Sequence, residues 1–212
     1  MFDLENTLRE TGIVPVIKIS DANRAADLAK ALCAGGMPAA EVTFRTAAAA
    51  DAIYKMREAF PGMTVGAGTV LTKASLDDAL AAGAQFIVAP GLNPSIVEAC
   101  LAKDVPVVPG CMTPSEMELA MAMGLTFVKF FPAEAAGGVK FLKAVSAPYA
   151  GLKFMPTGGV NAKNLENYLS VSKIVACGGS WMVKGDLVDA KEYGKIEELT
   201  KEAVDLVKKI RG

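Results

Sequence analysis

Short apolar runs alternate with longer amphipathic stretches along the whole chain. The longer stretches, such as residues 21–36 and 73–84, are rich in alanine and repeat their apolar positions at the period of a helix. The short runs have the length and β-branched content of strands, and their first residues lie 21 to 26 positions apart. They cover residues 13–19, 39–44, 63–68, 84–89, 105–110, 126–131, 152–157 and 173–178. The pattern therefore predicts eight strands, each followed by a helix.

Eight nearly equal strand–helix units are typical of an α/β protein of the (β/α)8 TIM-barrel class. A doubly wound open sheet would also alternate strands with helices, but the G-x-G-x-x-G pattern after the first strand is absent. An extra helix is predicted before strand one, at about residues 3–11, and a long charged helix at about 191–210. Capping residues open several helices: Ser20 or Asp21, Asn93, Thr113 and Asn161. We find no linker and expect one barrel domain, residues 1–212.

The composition is that of an ordinary globular domain. Of the 212 residues 52% are hydrophobic, the formal net charge is −1, and no run of Lys or Arg indicates a nucleic-acid or membrane partner. The cysteines lie far apart without C-x-x-C spacing, which favours buried reduced thiols. The acidic N-terminal segment lacks an apolar signal, and no segment is long enough to span a membrane. We therefore expect a cytoplasmic protein that binds neither nucleic acid nor membrane.

Histidine is absent from the sequence. This absence excludes Ser-His-Asp and Cys-His catalysis and the zinc sites of the H-E-x-x-H type. Any proton transfer would fall to carboxylates, lysine, tyrosine or water.

One lysine, Lys129, lies inside the apolar run TFVKFFPAE. It shares its parity on the strand with Phe127 and Phe131, so the three side chains face the same side. If that side is the barrel interior, burial and the nearby Arg45 would favour the neutral amine, which attacks carbonyl groups and forms Schiff bases. The alternatives are a lysine on an edge strand whose amine reaches water, and a lysine paired with Glu41 to fill the interior.

Further polar residues follow the predicted strands, where barrels carry their chemistry. Strand two ends in EVTFRT, which places Glu41 and Arg45 at its exit, and Thr69 and Pro90 follow strands three and four. In the absence of histidine, Glu41 is the strongest candidate for moving a proton, although it could also be a salt-bridge partner of Arg45. The guanidinium of Arg45 suits a carboxylate, to which Thr69 could add a hydroxyl hydrogen bond.

Glycine pairs follow the last two strands. Gly158 and Gly159 come after strand seven, and Gly178, Gly179 and Ser180 come after strand eight. Such loops let backbone N–H groups approach an anion, and barrels commonly bind phosphate at this position. The alternative is that the glycines only permit tight turns.

Taken together, EVTFRT, VGAGTV, APG, VKFFPAE, PTGG and GGSW, in this order and spacing, resemble the 2-keto-3-deoxy-6-phosphogluconate (KDPG) aldolase family of class I aldolases. The resemblance covers about residues 8–205. It implies a homotrimeric (β/α)8 barrel that acts on a small keto acid without metal or cofactor. It further implies these roles: Lys129 as the Schiff-base lysine and Glu41 as the general acid/base; Arg45 and Thr69 for the pyruvate carboxylate; Pro90, Phe131 and Thr157 as pocket walls; Gly158, Gly159, Gly179 and Ser180 for the phosphate.

The implied reaction is cleavage of KDPG to pyruvate and glyceraldehyde 3-phosphate, with 4-hydroxy-2-oxoglutarate as a second substrate, as in the family's bifunctional members. Thr157 favours the gluconate over the galactonate substrate. Two alternatives stay open: an aldolase acting mainly on 4-hydroxy-2-oxoglutarate, and a non-catalytic barrel that binds a phosphorylated metabolite.

Overall fold

The computed structural model describes residues 3–212, so Met1 and Phe2 of the expected domain lie outside the described residues. In this range a strand lies within or beside every predicted run. The strands are β1 Ile13–Ile17, β2 Ala39–Thr43, β3 Thr64–Gly68, β4 Ile87–Val88, β5 Val107–Val108, β6 Phe127–Phe130, β7 Lys153–Pro156 and β8 Cys177–Gly179. The helices are α1 Leu4–Thr11, α2 Ala25–Ala34, α3 Ala49–Ala59, α4 Lys73–Ala81, α5 Pro94–Leu101, α6 Pro114–Ala122, α7 Gly138–Ser146, α8 Leu165–Leu169, α9 Gly185–Asp189 and α10 Tyr193–Arg211.

Several strands are shorter than the apolar runs that predict them. Strand β5 is reduced to two residues because Pro106 and Pro109, which flank it, carry no N–H group and cannot donate to a neighbouring strand. Their carbonyls still accept hydrogen bonds, Pro106 from Ile87 and Pro109 from Lys129, both at 2.9 Å. Apolar content therefore predicts where the chain is buried better than where the strand ladder begins and ends.

All strand pairs are parallel, as the sequence predicts. Six strands form one sheet in the order β5-β4-β3-β2-β1-β8, and β6 pairs with β7. Isolated parallel bridges lie between the two groups: Gly110 with Lys129 on one side, and Phe154 with Ile174 and Thr157 with Gly178 on the other. The parallel α/β fold is confirmed, whereas closure into a single eight-stranded barrel remains a proposal.

The strands separate two apolar clusters. Val128 and Phe130 on β6 and Val42 on β2 belong to the larger cluster, which also contains the helices' apolar faces. Phe127 and Ala39, of opposite parity on the same strands, belong to a smaller inner cluster. Helix α1 adds Leu4 and Leu8 to this inner cluster, so the extra N-terminal helix covers the amino ends of the strands.

The two chain ends are joined by a side chain of α10. Arg211 donates hydrogen bonds to the carbonyls of Arg9, Ile174 and Val175. It thereby connects the last turn of α1 with the segment that leads into β8.

The predicted helix caps are mostly present. Thr113 forms a capping box with Glu116, and Asn93 accepts from the backbone N–H of Ser95. Asn161 does not cap α8, which begins only at Leu165 after Asn164. The side chain of Asn161 instead accepts from the backbone of Lys163 in the preceding turn.

The cysteines form no disulfide within residues 3–212. Three are buried and Cys33 is half-buried. Burial raises the pKa of the Cys100 thiol to about 11 and is the main cause that raises the pKa of Cys111 to about 12. The thiols are therefore protonated at neutral pH, in line with the expected reduced state.

The described range, residues 3–212, contains neither a membrane-spanning helix nor a cluster of metal-ligating side chains. No helix there is long and apolar enough to cross a bilayer. No group of three or more His, Cys, Asp and Glu side chains is arranged to hold a metal ion.

Candidate active site

Lys129 and Glu41 form a buried ion pair in the interior of the strand assembly. Lys129 lies two residues after Phe127 on β6 and Glu41 two residues after Ala39 on β2, so both share the parity of the inner apolar cluster. Lys129 Nζ is 3.4 Å from Glu41 Oε1, and the two residues are 4% and 0% exposed. The sequence singled out both residues, and the fold brings them into contact.

The second carboxylate oxygen, Glu41 Oε2, is buried and has no hydrogen-bond partner within residues 3–212. A buried acceptor without a donor costs about 1–3 kcal/mol, so such an atom calls for a functional explanation. A buried ion pair is itself a weak source of stability, because both charges must be desolvated. Oε2 is therefore suited to accept a proton or a hydrogen bond from a bound molecule.

Gly68 leaves room for the Glu41 carboxylate. A Cβ at this position on β3 would lie 2.1 Å from Glu41 Oε1. Gly66, two residues earlier, similarly makes room for the ring of Phe86, which a Cβ would approach to 2.4 Å. Sequence reasoning missed both residues, although glycines at alternate positions of a predicted strand indicate a close approach from one face.

Arg45 and Thr69 meet at the exits of β2 and β3. Arg45 Nε donates to Thr69 Oγ1 at 3.3 Å. Thr69 has a backbone φ of 58°, a left-handed conformation that costs a residue with a Cβ about 1 kcal/mol or more. Its hydroxyl is thus held beside the guanidinium by a strained backbone.

A cavity of about 510 Å³ opens at the carboxyl ends of the strands. This volume lies within the range typical of sites for small ligands. Seven of the predicted site residues line it: Arg45, Phe131, Thr157, Gly158, Gly159, Gly179 and Ser180.

The other four predicted residues lie around this cavity but are not part of its lining. Lys129 Nζ is 5.3 Å from the centroid of the Phe131 ring, and Thr69 is bonded to Arg45. Pro90 follows β4 and lies against Gly110, since a Cβ on Gly110 would be only 2.0 Å from the Pro90 carbonyl oxygen. Gly110 in turn bridges to Lys129. The buried ion pair therefore lies next to the cavity, on the side of Phe131.

The loop after β7 presents backbone N–H groups to the cavity. Gly158 and Gly159 have φ values of 100° and 83°, which glycine adopts without strain. The N–H groups of Gly159 and Val160 donate no hydrogen bond within residues 3–212, and both residues line the cavity. Adjacent N–H groups without internal acceptors form a concave site for an anion.

The end of β8 lies beside this loop, and the strand includes Gly178 and Gly179, so that of the three predicted residues only Ser180 follows it. Gly178 bridges to Thr157, and a Cβ on it would lie 2.3 Å from Thr157 Oγ1. A Cβ on Gly179 would lie 2.1 Å from the Trp181 ring. Ser180 is exposed at the cavity and makes no side-chain hydrogen bond within the described chain. Its hydroxyl is thus able to donate to a ligand.

Charged residues at the cavity are a second group that sequence reasoning missed. Lys18 and Lys184 line it, together with Asp186. Lys18 follows Ile17 at the end of β1 and shares the parity of Val16, another lining residue. With Arg45 the cavity has three cationic side chains against one carboxylate, a balance that favours anionic ligands.

Comparisons with known proteins agree with this site. The family described as KDPG and KHG aldolase matches residues 4–199. A 2-dehydro-3-deoxy-phosphogluconate aldolase of Haemophilus influenzae is 47% identical over 201 residues, 95% of each chain. The KHG/KDPG aldolase of Escherichia coli is 43% identical over 95% of this chain and 94% of its own.

A crystal structure of KDPG aldolase from Legionella pneumophila, with pyruvate captured as a covalent carbinolamine intermediate, has the same fold. Its TM-score is 0.91 at 38% identity, covering 95% of this chain and 98% of that one. Both the sequence match and the fold extend over nearly the whole protein. The chain therefore belongs to the KDPG and KHG aldolase family, a family of lyases.

Proposed function

We propose that this protein is a class I aldolase that cleaves KDPG to pyruvate and glyceraldehyde 3-phosphate. The observation that carries the proposal is the buried pair of Lys129 and Glu41, 3.4 Å apart, whose second carboxylate oxygen has no partner within residues 3–212. An amine held in a largely apolar interior is a nucleophile for carbonyl groups, and an adjacent carboxylate can move the protons that the reaction needs.

The reaction begins when the neutral amine of Lys129 attacks the C2 carbonyl of the keto acid. The carbinolamine loses water, with a proton delivered by Glu41, and leaves an iminium ion. Glu41 then takes the proton of the C4 hydroxyl, directly or through water, and the C3–C4 bond breaks. Its electron pair moves into the iminium and gives the enamine of pyruvate, while C4 leaves as the aldehyde of glyceraldehyde 3-phosphate. Protonation at C3 and hydrolysis release pyruvate and the amine.

The substrate carboxylate would lie at Arg45 and Thr69. The guanidinium can hold a carboxylate in a bidentate manner, and the Thr69 hydroxyl lies 3.3 Å from Arg45 Nε. Phe131 and Thr157 line the cavity, and Pro90 lies beside Gly110, which bridges to Lys129. We assign these three residues to the walls of the keto-acid pocket.

The phosphate would lie at the open end, held by the loops of Gly158 and Gly159 and of Gly179 and Ser180. The N–H of Gly159 and the hydroxyl of Ser180 have no other acceptor within residues 3–212. Lys18 and Lys184 add positive charge to the same cavity. A dianionic group is therefore better matched to this end than a neutral one.

The relatives support this reaction and add a second candidate. The Haemophilus influenzae relative is named for KDPG cleavage, and the Legionella pneumophila structure holds pyruvate as a carbinolamine. The Escherichia coli relative is named for both KHG and KDPG. Cleavage of 4-hydroxy-2-oxoglutarate (KHG) to pyruvate and glyoxylate uses the same lysine and is the second candidate.

The proposal also includes the architecture around the site. The isolated bridges beside β6 and β7 support closure of the eight strands into one (β/α)8 barrel. The contacts of Arg211, at the end of α10, with Arg9 in α1 and Val175 before β8 support a single domain. A homotrimer follows from the family resemblance and a cytoplasmic location from the sequence; light scattering of the purified protein tests the first and cell fractionation the second.

A turnover assay with KDPG and KHG side by side tests the function. We expect pyruvate release from both, with the larger kcat/KM for KDPG. A larger kcat/KM for KHG would favour the second candidate, and no release from either substrate would contradict both.

A further inference from the structure

Two side-chain amides converge on one carbonyl of the loop after β7. Asn161 Nδ2 donates to the carbonyl of Gly159 at 2.9 Å, and Asn164 Nδ2 donates to the same oxygen at 3.1 Å. Neither asparagine lines the cavity. Their effect on a ligand must therefore pass through the loop.

The orientation of both side-chain amides is fixed by the hydrogen bonds that their oxygens accept. Asn164 Oδ1 accepts from the backbone N–H of Asn161 at 2.8 Å, and Asn161 Oδ1 accepts from that of Lys163 at 3.0 Å. Exchanging oxygen and nitrogen in either amide would oppose oxygen to oxygen at Gly159 and nitrogen to N–H at the other end. Each side chain thus has one orientation that satisfies its partners.

A carbonyl held by hydrogen bonds also fixes the direction of the N–H bond in the same peptide unit. In a trans peptide the C=O and N–H bonds point in opposite directions. Holding the Gly159 oxygen against the asparagines therefore directs the N–H of Val160 away from them. The preceding unit is held similarly, because the Gly158 oxygen accepts from the backbone N–H of Glu134 at 3.0 Å. Three N–H groups of this loop, those of Gly158, Gly159 and Val160, have no acceptor within residues 3–212. Those of Gly159 and Val160 belong to the two peptide units whose oxygens are held in this way.

We infer that Asn161 and Asn164 are positioning residues that hold the loop's N–H groups toward the cavity for the phosphate of the substrate. The inference rests on the phosphate site of the proposed function. Without the two amides the Gly159–Val160 peptide unit can rotate, since Gly159 has φ 83° and no side chain to resist the change. A preformed set of donors binds an anion better than a loop that must be ordered first.

The sharpest variant is Asn164→Asp, which replaces only the amide NH₂ by oxygen. One carboxylate oxygen can still accept from the Asn161 N–H, but the other replaces the N–H donor and faces the Gly159 oxygen, which it cannot bond. The matched control is Asn167→Asp, one helical turn further along α8. The Asn167 side chain makes no hydrogen bond within the described residues and does not line the cavity, so the control adds the same charge without touching the loop. Asn164→Ala removes the donor without adding charge.

The readouts are kcat/KM for KDPG and for its dephosphorylated analogue, and the affinity for inorganic phosphate measured by calorimetry. For both Asn164 variants we expect kcat/KM for KDPG to fall at least about tenfold, mainly through KM, with less than about a twofold change on the dephosphorylated analogue. Phosphate affinity should fall by a similar factor, and Asn167→Asp should match the wild type in all three.

Equal losses on both substrates, no loss on either, or failure of both Asn164 variants to fold would make the asparagines merely structural and overturn the inference. A wild type without aldolase turnover would contradict the proposed function instead. Phosphate calorimetry on the same variants would then still decide the inference, because it needs no turnover.

Discussion

At its closed end the candidate site consists of two buried charged side chains, whereas at its open end it consists mainly of backbone groups in glycine loops. Lys129 and Glu41 are 4% and 0% exposed and contact each other directly. Gly159 and Ser180 are exposed, and neither the Gly159 N–H nor the Ser180 hydroxyl donates a hydrogen bond within residues 3–212. Changes at the closed end should therefore affect every substrate, and changes at the open end only those that carry a phosphate.

The largest effect is expected from Lys129→Met, which removes the nucleophile but keeps a side chain of similar length. Without the amine no iminium forms, so kcat should fall by about 10⁴-fold or more on both KDPG and KHG. Steady-state kinetics with both substrates checks this. The double variant Lys129→Met/Glu41→Gln, which leaves no unpaired buried charge, should remain folded by circular dichroism and be equally inactive. Residual turnover above about 1% in either variant would contradict the role.

Glu41→Gln should reduce kcat by about 10²–10⁴-fold, the usual range for general acid–base catalysis. The loss should again be equal for phosphorylated and unphosphorylated substrates, because the proton is moved at the closed end. Borohydride trapping of pyruvate should still occur, since Lys129 is intact. Turnover near that of the wild type would mean that Glu41 only pairs with Lys129 in the interior and moves no proton.

Ser180→Ala should separate the two ends. A hydrogen bond to a charged group contributes about 1.5–3 kcal/mol, which corresponds to roughly a 10- to 100-fold loss in kcat/KM for KDPG. The dephosphorylated analogue has nothing for the hydroxyl to bind, so its kcat/KM should stay unchanged. Parallel kinetics with the two substrates measures the difference, and an equal loss on both would mean that Ser180 supports only the fold.

The smallest effect is expected from Thr69→Gly, which relieves a left-handed backbone at φ 58°. The free energy of unfolding should rise by about 1 kcal/mol, while KM for both substrates increases because Arg45 loses its hydroxyl partner. Urea denaturation and kinetics measure the two effects.

The matched control for Thr69→Gly is Asp104→Gly, at φ 54° in the turn after α5. It should gain similar stability without any change in KM. A Thr69→Gly variant with unchanged KM would remove Thr69 from the carboxylate site.

The same contrast explains how much could be predicted from the sequence. Lys129 stands out because an ammonium in an apolar strand is costly, and Glu41 stands out because histidine is absent. The glycine pairs indicated that donors would lie near the cavity, but not which N–H groups would lack acceptors. That depends on where the carbonyls of Gly158 and Gly159 find partners, at Glu134, Asn161 and Asn164, which are contacts that only the fold creates.

The fold shows a similar division. Eight strand–helix units and the extra first helix followed from hydrophobic period alone. The two-residue length of β5 did not, because proline removes ladder donors without changing apolarity. Lys18 and Lys184 were not predicted either, because the sequence does not distinguish an exposed lysine at a cavity from one elsewhere on the surface. Only the fold places these two in the lining of the cavity.

The central claim is that Lys129 forms an imine with the keto acid. Treating the protein with pyruvate and borohydride, followed by digestion and mass spectrometry, tests it most directly. The account predicts inactivation together with the mass of one reduced pyruvyl group on Lys129 and on no other lysine, with no labelling of Lys129→Met. Labelling at a different lysine, or full activity after treatment, would contradict it.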